Sequence, residues 1–221
     1  MFDAFPNRSK TPMKRQQPTP TEVIRQRYNR LAFVYNLMEW PYEKLHFEGW
    51  RSHLRERIVG PRALEVGVGT GKNMFFYPAD VSVTAVDFSP RMLARAIRHA
   101  AKQNLTVDLL QMDAQRLGFP DNTFDTVFAA FVFCSVPDAL QGLIELRRVC
   151  KPDGRLLLLE HMRPSNPVLG VLFDMMNPLI VRITGANINR RTMKNLKTAG
   201  WHLLSVENLS SDIVRWIEAI P

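Results

Sequence analysis

Cysteine is almost missing from this chain: among 221 residues there are two, Cys134 and Cys150, and each sits inside an apolar or helical pattern. A disulfide-stapled fold and a cysteine-built zinc site are thereby excluded, no metal is expected, and the usage points to a reducing compartment. Also missing is any apolar run of about eighteen residues, the length a membrane-crossing helix needs. The first residues do not follow the basic, apolar, small-residue order of a secretory signal. A cytoplasmic protein is expected, at most peripheral on the inner face of the membrane. Acidic residues are outnumbered, 21 against 29 basic ones, for a net charge of +8.

More than half of that excess lies in residues 1–30, where Arg8, Lys10, Lys14, Arg15, Arg25, Arg27 and Arg30 face only Asp3 and Glu22. Residues 1–20 also hold Pro6, Pro12, Pro18 and Pro20, a composition of a disordered basic arm suited to an anionic membrane surface or simply to solvent. Thr19 and Glu22 have capping-box spacing and open a helix with Ile24, Tyr28, Leu31 and Tyr35 on one face. Phe47, Trp50, Leu54 and Ile58 share a second helical stripe that ends at Gly60-Pro61, so residues 21–60 read as an N-terminal helical lid.

Past residue 61 the pattern becomes short apolar strands alternating with amphipathic helices. The strands are "RALEVGVG", "VSVTAVDF", "TVDLLQMDA", "TFDTVFAAFVF" and "GRLLLLEHM", with "WHLLSVENL" and "SDIVRWIEA" as a closing hairpin. An α/β fold follows: a Rossmann-like, seven-stranded, mostly parallel sheet over residues 61–221, helices on both faces and an antiparallel C-terminal hairpin. Ser89 and Pro90 open one helix, with Leu93, Ile97 and Ala100 expected toward the sheet; a later helix is expected to bury Leu140, Leu143, Ile144 and Val149.

The strand-to-helix turn "ALEVGVGTGKN" places Gly67, Gly69 and Gly71 at alternate positions. Such bare backbone lets a ligand touch the chain and offers N–H groups to it. The phosphate-loop order fails, since Val66 and Asn73 stand at its required positions, and the dinucleotide fingerprint fails at Lys72. What fits is E-x-G-x-G-x-G beginning at Glu65. Asp87 closes the second strand, where a carboxylate accepts ribose hydroxyls, and Asp113 closes the third, where an adenine amino group would lie. Asp113 also suits a turn cap.

With these segments in view, the chain resembles the class I S-adenosylmethionine-dependent methyltransferases in "LEVGVGTGKN", "VTAVDFSPRMLARA", "MDAQRLGFPDNTFDTV" and "ELRRVCKPDGRLLLLE". Within that superfamily "YNRLAFVYNLMEWPYEKLHFEGWR" is similar to the ubiquinone/menaquinone C-methyltransferases. "FVFCSVPD" and "LLLLEHMRP" resemble membrane-associated thiol S-methyltransferases, and the phospholipid N-methyltransferases share the core motifs. The resemblance implies S-adenosyl-L-methionine as cofactor, with S-adenosyl-L-homocysteine as product. Gly67, Gly69 and Gly71 would line its methionine half and Glu65 would orient the amino end through the loop. Asp87 would hold the ribose, Asp113 and Ala114 the adenine, with Ser89, Met92 and Phe131 nearby.

Tyr28 and Tyr35 would close a lid over the cofactor or pack within their stripe. Those two tyrosines and His161, at the rim beyond the fifth strand, are the candidates for a catalytic role; His46 is another candidate base. The implied acceptor is lipophilic: a quinone precursor, a phospholipid amine such as phosphatidylethanolamine, or an alkyl thiol. A cap insertion at about 163–197, rich in Leu, Met and Val but too interrupted to span a bilayer, would roof an apolar pocket or dip into a headgroup layer. The alternatives are a water-soluble or nucleic-acid acceptor and a non-catalytic cofactor-binding module. "FAAFVFCSVPD" lacks the Asn/Asp-Pro-Pro-aromatic motif of amino-base methylators, which disfavours nucleic acid.

Overall fold

The computed structural model describes residues 18–31 and 48–221. The basic arm up to residue 17, together with Tyr35, His46 and Phe47, lies outside the described residues. Helix α1 (Pro20–Leu31) opens with the expected capping box: the Glu22 carboxylate accepts from the Thr19 amide at 2.7 Å, and Thr19 Oγ1 accepts from the Glu22 amide at 3.3 Å. The second stripe forms two short helices, α2 (Glu48–Ser52) and α3 (Leu54–Arg57), with Leu54 and Ile58 buried.

Seven strands follow, β1 (Arg62–Val66), β2 (Ser82–Asp87), β3 (Asp108–Gln111), β4 (Phe124–Ala130), β5 (Cys150–His161), β6 (His202–Ser210) and β7 (Val214–Ile220). Their spatial order is β3-β2-β1-β4-β5-β7-β6, parallel up to β5, with β7 antiparallel to both β5 and β6. Order reverses between β1 and β4, which opens a crevice at the C-terminal strand ends.

Alternation along each central strand sends side chains to two cores. Leu64, Val127, Leu156 and Leu158 enter one, against Leu143 and Leu146 of α5 (Ala139–Val149) and Leu196 of α7 (Thr192–Thr198); Ala63, Phe128, Leu157 and Leu159 enter the other, against Leu54 and Trp216. The unbroken run Leu156–Leu159 is thus buried on both faces, as a central parallel strand requires. Helix α4 (Pro90–Lys102) carries its cap as expected, Ser89 Oγ accepting from the Met92 amide at 3.2 Å.

Two expected core residues are exposed, Ile97 at 50% and Ile144 at 41%. In α4 the small Ala96 and Ala100 let the helix approach Ala85 closely and roll Ile97 outward; in α5 Leu146 takes the buried position. The segment after β5 forms one uninterrupted helix, α6 (Pro167–Thr184), despite Pro178 within it. By length and hydropathy it could cross a membrane, contrary to the expectation of a segment too interrupted to do so, and with only 6% of its residues buried it is not a core helix.

Candidate active site

A cavity of about 840 Å³, counted to its open mouth, lies at the C-terminal ends of β1, β2, β3 and β4. Its floor is the turn after β1, where Gly67, Gly69 and Gly71 hold φ of +73°, +56° and +89°, values that strain any side chain. At Gly67 space adds a second demand, since a Cβ would lie 2.4 Å from Val132 Cγ2. At Gly69 a Cβ would meet only the Gly67 carbonyl at 4.0 Å, so open space stands where a side chain would be. Gly67 and Gly69 line the cavity; Gly71 does not, because it turns the chain into the 3-10 helix Lys72–Phe76.

Asp87 pins this turn. Its Oδ2 accepts from the Gly69 amide and its Oδ1 from the Ser89 amide, both at 2.8 Å, while the carboxylate lines the cavity. Burial pushes its pKa up to about 6, against the pull of the two amides. Ser89 is buried away from the cavity, its hydroxyl occupied by the α4 cap and by donation to Asn29 Oδ1 at 2.8 Å; Phe88 and Met92 line the wall instead.

Glu65 lies under the floor, fully buried. It accepts from Asn73 Nδ2 at 2.5 Å and from the Tyr77 hydroxyl, and burial raises its pKa to about 7. Asn73 in turn accepts from Arg51 Nη1 at 2.5 Å, and the Arg51 guanidinium stands 5.7 Å from the Phe131 ring centre. This Glu65–Asn73–Arg51 chain ties the floor to α2. Asn73 was in plain view, eight residues beyond Glu65, but only folding gives it a partner on another helix.

Met112, Asp113 and Ala114 form the wall after β3. Asp113 Oδ1 accepts from the Gln115 amide at 2.9 Å, the turn-cap geometry, and Gln115 Nε2 bridges Asp113 to Thr21 Oγ1 of α1. Tyr28 of the same helix reaches the cavity and packs edge-on against Phe88, ring centres 5.9 Å apart.

The segment after β4 begins at Phe131, a cavity residue at φ +57°, a conformation rare for a bulky side chain. Buried Glu160 holds it there, since Oε1 accepts from the amides of Val132 at 2.7 Å and Phe133 at 2.9 Å. Burial pushes the Glu160 pKa up to about 8. The sequence reading passed over Glu160; its signal was a lone acid closing a leucine run.

His161 does not line the cavity. It lies beside Phe131, ring centres 6.5 Å apart, and burial lowers its pKa to about 4, which keeps the imidazole neutral. Its ring nitrogen, the Cys134 thiol and the Glu160 carboxylate fall within 4.8 Å of one another. Both cysteines are free and buried, with burial pushing each thiol's pKa upward.

Residues 64–158 match the methyltransferase domain family. A phosphatidylethanolamine N-methyltransferase of Cereibacter sphaeroides is 35% identical over 165 residues, 73% of this chain and 72% of that protein. A demethylmenaquinone methyltransferase of Lactobacillus johnsonii is 31% identical over 182 residues, 77% of this chain and 75% of its own. Among solved structures, the SpnF cyclase superposes with a TM-score of 0.71 at 24% identity, covering 89% of this chain and 77% of that one. A SAM-dependent methyltransferase of Thermotoga maritima gives 0.66 at 20% identity, covering 88% and 98%. The fold thus also serves a cyclase, and it is the sequence relatives that carry the chemistry. With a glycine-floored crevice at the reversal of strand order and relatives of this identity across most of its length, the chain belongs to the class I S-adenosylmethionine-dependent methyltransferases and is an enzyme of that family.

Proposed function

We propose that this enzyme methylates a lipophilic acceptor presented at a membrane surface: a quinone precursor, a phospholipid amine or an alkyl thiol. The observation that carries the reading is the pair of relatives, whose names specify phosphatidylethanolamine and demethylmenaquinone, two different acceptors that share only their lipid character. The exposed apolar helix α6 supports it, as does the basic composition of residues 1–30.

The residues present fit the cofactor. A glycine floor without side chains, a carboxylate at the end of β2 and another at the end of β3 suit a molecule with an amino acid, a ribose and an adenine. When bound, it supplies a methyl group on an already activated sulfonium. Gly67 and Gly69 would admit its methionine half, with Glu65 stiffening the loop from below through Asn73. Asp87 would accept from the ribose with lone pairs its two amide contacts leave free. Asp113, Ala114 and Met92 would flank the base. Phe131 and Tyr28 would exclude water from the transfer, for which alignment matters more than a strong base. Tyr28 is the candidate base that reaches the cavity among the described residues. An amine or thiol acceptor needs only an exposed lone pair, whereas a ring carbon needs its neighbouring hydroxyl acidified.

Incubation with methyl-labelled cofactor and a total lipid extract is expected to place label in the organic phase. Mass spectrometry of the labelled species then separates quinone, aminophospholipid and thiol. Label confined to water-soluble products or to RNA would sink the lipid reading. The substitution Gly67→Ala is expected to weaken cofactor binding by about tenfold or more, because the added methyl collides with Val132 in a backbone conformation that also penalises it. Unchanged affinity in a calorimetric titration would show that the floor tolerates a side chain.

A further inference from the structure

Helix α6 is amphipathic in the wrong sense for a soluble protein. Two of its polar residues, Asp174 and Asn177, face the protein: Asp174 accepts from Arg163 and from Asn189 Nδ2 at 3.0 Å, and Asn177 Oδ1 accepts from the Ile188 amide at 2.9 Å. Gly170, its one buried residue, seats against the Arg163 guanidinium. The other side is open and, apart from the exposed Arg182 in the last turn, apolar. Val168, Val171, Leu172, Met175, Leu179 and Ile183 are each 48–76% exposed and, at 3.6 residues per turn, fall within an arc of about 120°. Surface helices of globular proteins bury that stripe, and an uncovered patch of this kind marks a contact with something apolar.

Beside the N-terminal end of α6 is a second cavity, about 650 Å³ out to solvent, with Arg163, Arg190, Arg191, Lys194 and Arg215 in its wall. Asp174 engages Arg163, Asp212 engages Arg215 at 3.5 Å, and Arg190 donates to the Val136 carbonyl on the side of buried Glu160, which leaves the exposed Arg191 and Lys194 as the net positive charge at the cavity's mouth. The Arg190 Nε is buried without a hydrogen-bond partner. A contiguous apolar stripe next to a cationic hollow complements acyl chains next to phosphate.

We infer that α6 lies in the plane of an anionic phospholipid bilayer, its apolar stripe among the acyl chains and the arginine-lined cavity on a lipid headgroup phosphate. The inference deepens the reading of a membrane-presented acceptor and rests on it. In-plane seating follows from the attachments at both ends. Ser165, before the helix, accepts from Arg215 Nη2, while Val181, near its end, accepts from Arg27 of α1. The polar inner face stays on the protein throughout, so the helix is held lengthwise against the domain rather than projecting from it.

Flotation of the full chain with vesicles of phosphatidylcholine, alone or with phosphatidylglycerol, tests this without any methyl acceptor. Leu172→Asp with Met175→Asp is expected to cut binding to both vesicle types at least tenfold, and Arg191→Glu with Lys194→Glu to remove the increment due to phosphatidylglycerol. Both pairs are expected to keep cofactor affinity and melting temperature, since all four side chains are surface groups remote from the cofactor cavity. Binding equal to the parent's in both variants would overturn the inference. So would complete loss on deleting residues 1–17 alone, which spares the Thr19 cap of α1 and would assign docking to the arm. A shift from dimer to monomer in the aspartate variant with vesicle binding intact would overturn it too, giving the stripe to a second copy. Vesicle binding through α6 with label confined to water-soluble products would instead leave this inference standing and remove the lipid acceptor.

Discussion

Asp87→Ala is expected to lower affinity for S-adenosylmethionine by about a hundredfold or more, equivalent to about 3 kcal/mol, and to leave a folded protein. Two losses add. The ribose acceptor disappears, and the amides of Gly69 and Ser89, which now share the carboxylate at 2.8 Å, lose the group that sets the loop. Hydrogen bonds to a charged group contribute about 1.5–3 kcal/mol each. Removing a buried carboxylate, whose raised pKa records its desolvation, returns part of that to the folded state. Stability should therefore change less than affinity. Titration calorimetry beside a thermal melt separates the two, and affinity within about threefold of the parent's would overturn the assignment of Asp87.

Glu160→Ala is expected to be the most destabilising single change at the cavity, about 2–4 kcal/mol, or roughly 5–10 °C in melting temperature. It strips the acceptor from the amides of Val132 and Phe133 and frees the strained turn at Phe131. Glu160→Gln retains a carbonyl oxygen for those amides and is expected to cost far less. An alanine variant that melts with the parent would show that the turn holds itself.

The same carboxylate gives stability a pH dependence of unusual sign. Glu160 at about 8 and Glu65 at about 7 lie above the ordinary carboxyl value of 4.5, so between those limits the folded state binds protons the unfolded chain has released. Their contribution is complete below about pH 4.5 and is lost as pH rises through 7 and 8. Asp87, at about 6, acts in the same sense at lower pH. His161 works the other way: lowered from 6.5 to about 4, it contributes above pH 6.5 and loses that contribution as pH falls toward 4. Above pH 6.5 the histidine is therefore flat and the glutamates set the slope. Melting temperature is expected to fall from pH 6.5 to 8.5, and Glu160→Gln to flatten the fall; a rise over that interval would contradict the buried-carboxyl account.

Several sites were legible because they depend on neighbours in the chain. The glycines at 67, 69 and 71 mark a turn whose φ values demand them, and Thr19 with Glu22 or Ser89 with Met92 close hydrogen bonds within three residues. Asp87 and Asp113 were readable as strand-end carboxylates, because a parallel sheet brings all such ends to one edge. Ile97 and Ile144 were misjudged because periodicity defines a stripe but not its centre, which Ala96 and Leu146 settled by fitting more closely. His161 suggested a base at the rim, yet it stands beside the Phe131 ring, outside the cavity lining.

By itself, then, the sequence determined the element order, the parallel sheet with its hairpin and the glycine floor of the crevice, since period, capping and turn chemistry act over a few residues. Tertiary structure alone decided that Glu160 holds the turn at Phe131, that Asn73 links Glu65 to Arg51, and that α6 turns its apolar side away from the protein. Each of these joins groups far apart in the chain, and a helix with an apolar and a polar side reads the same in sequence whichever side it presents to the core.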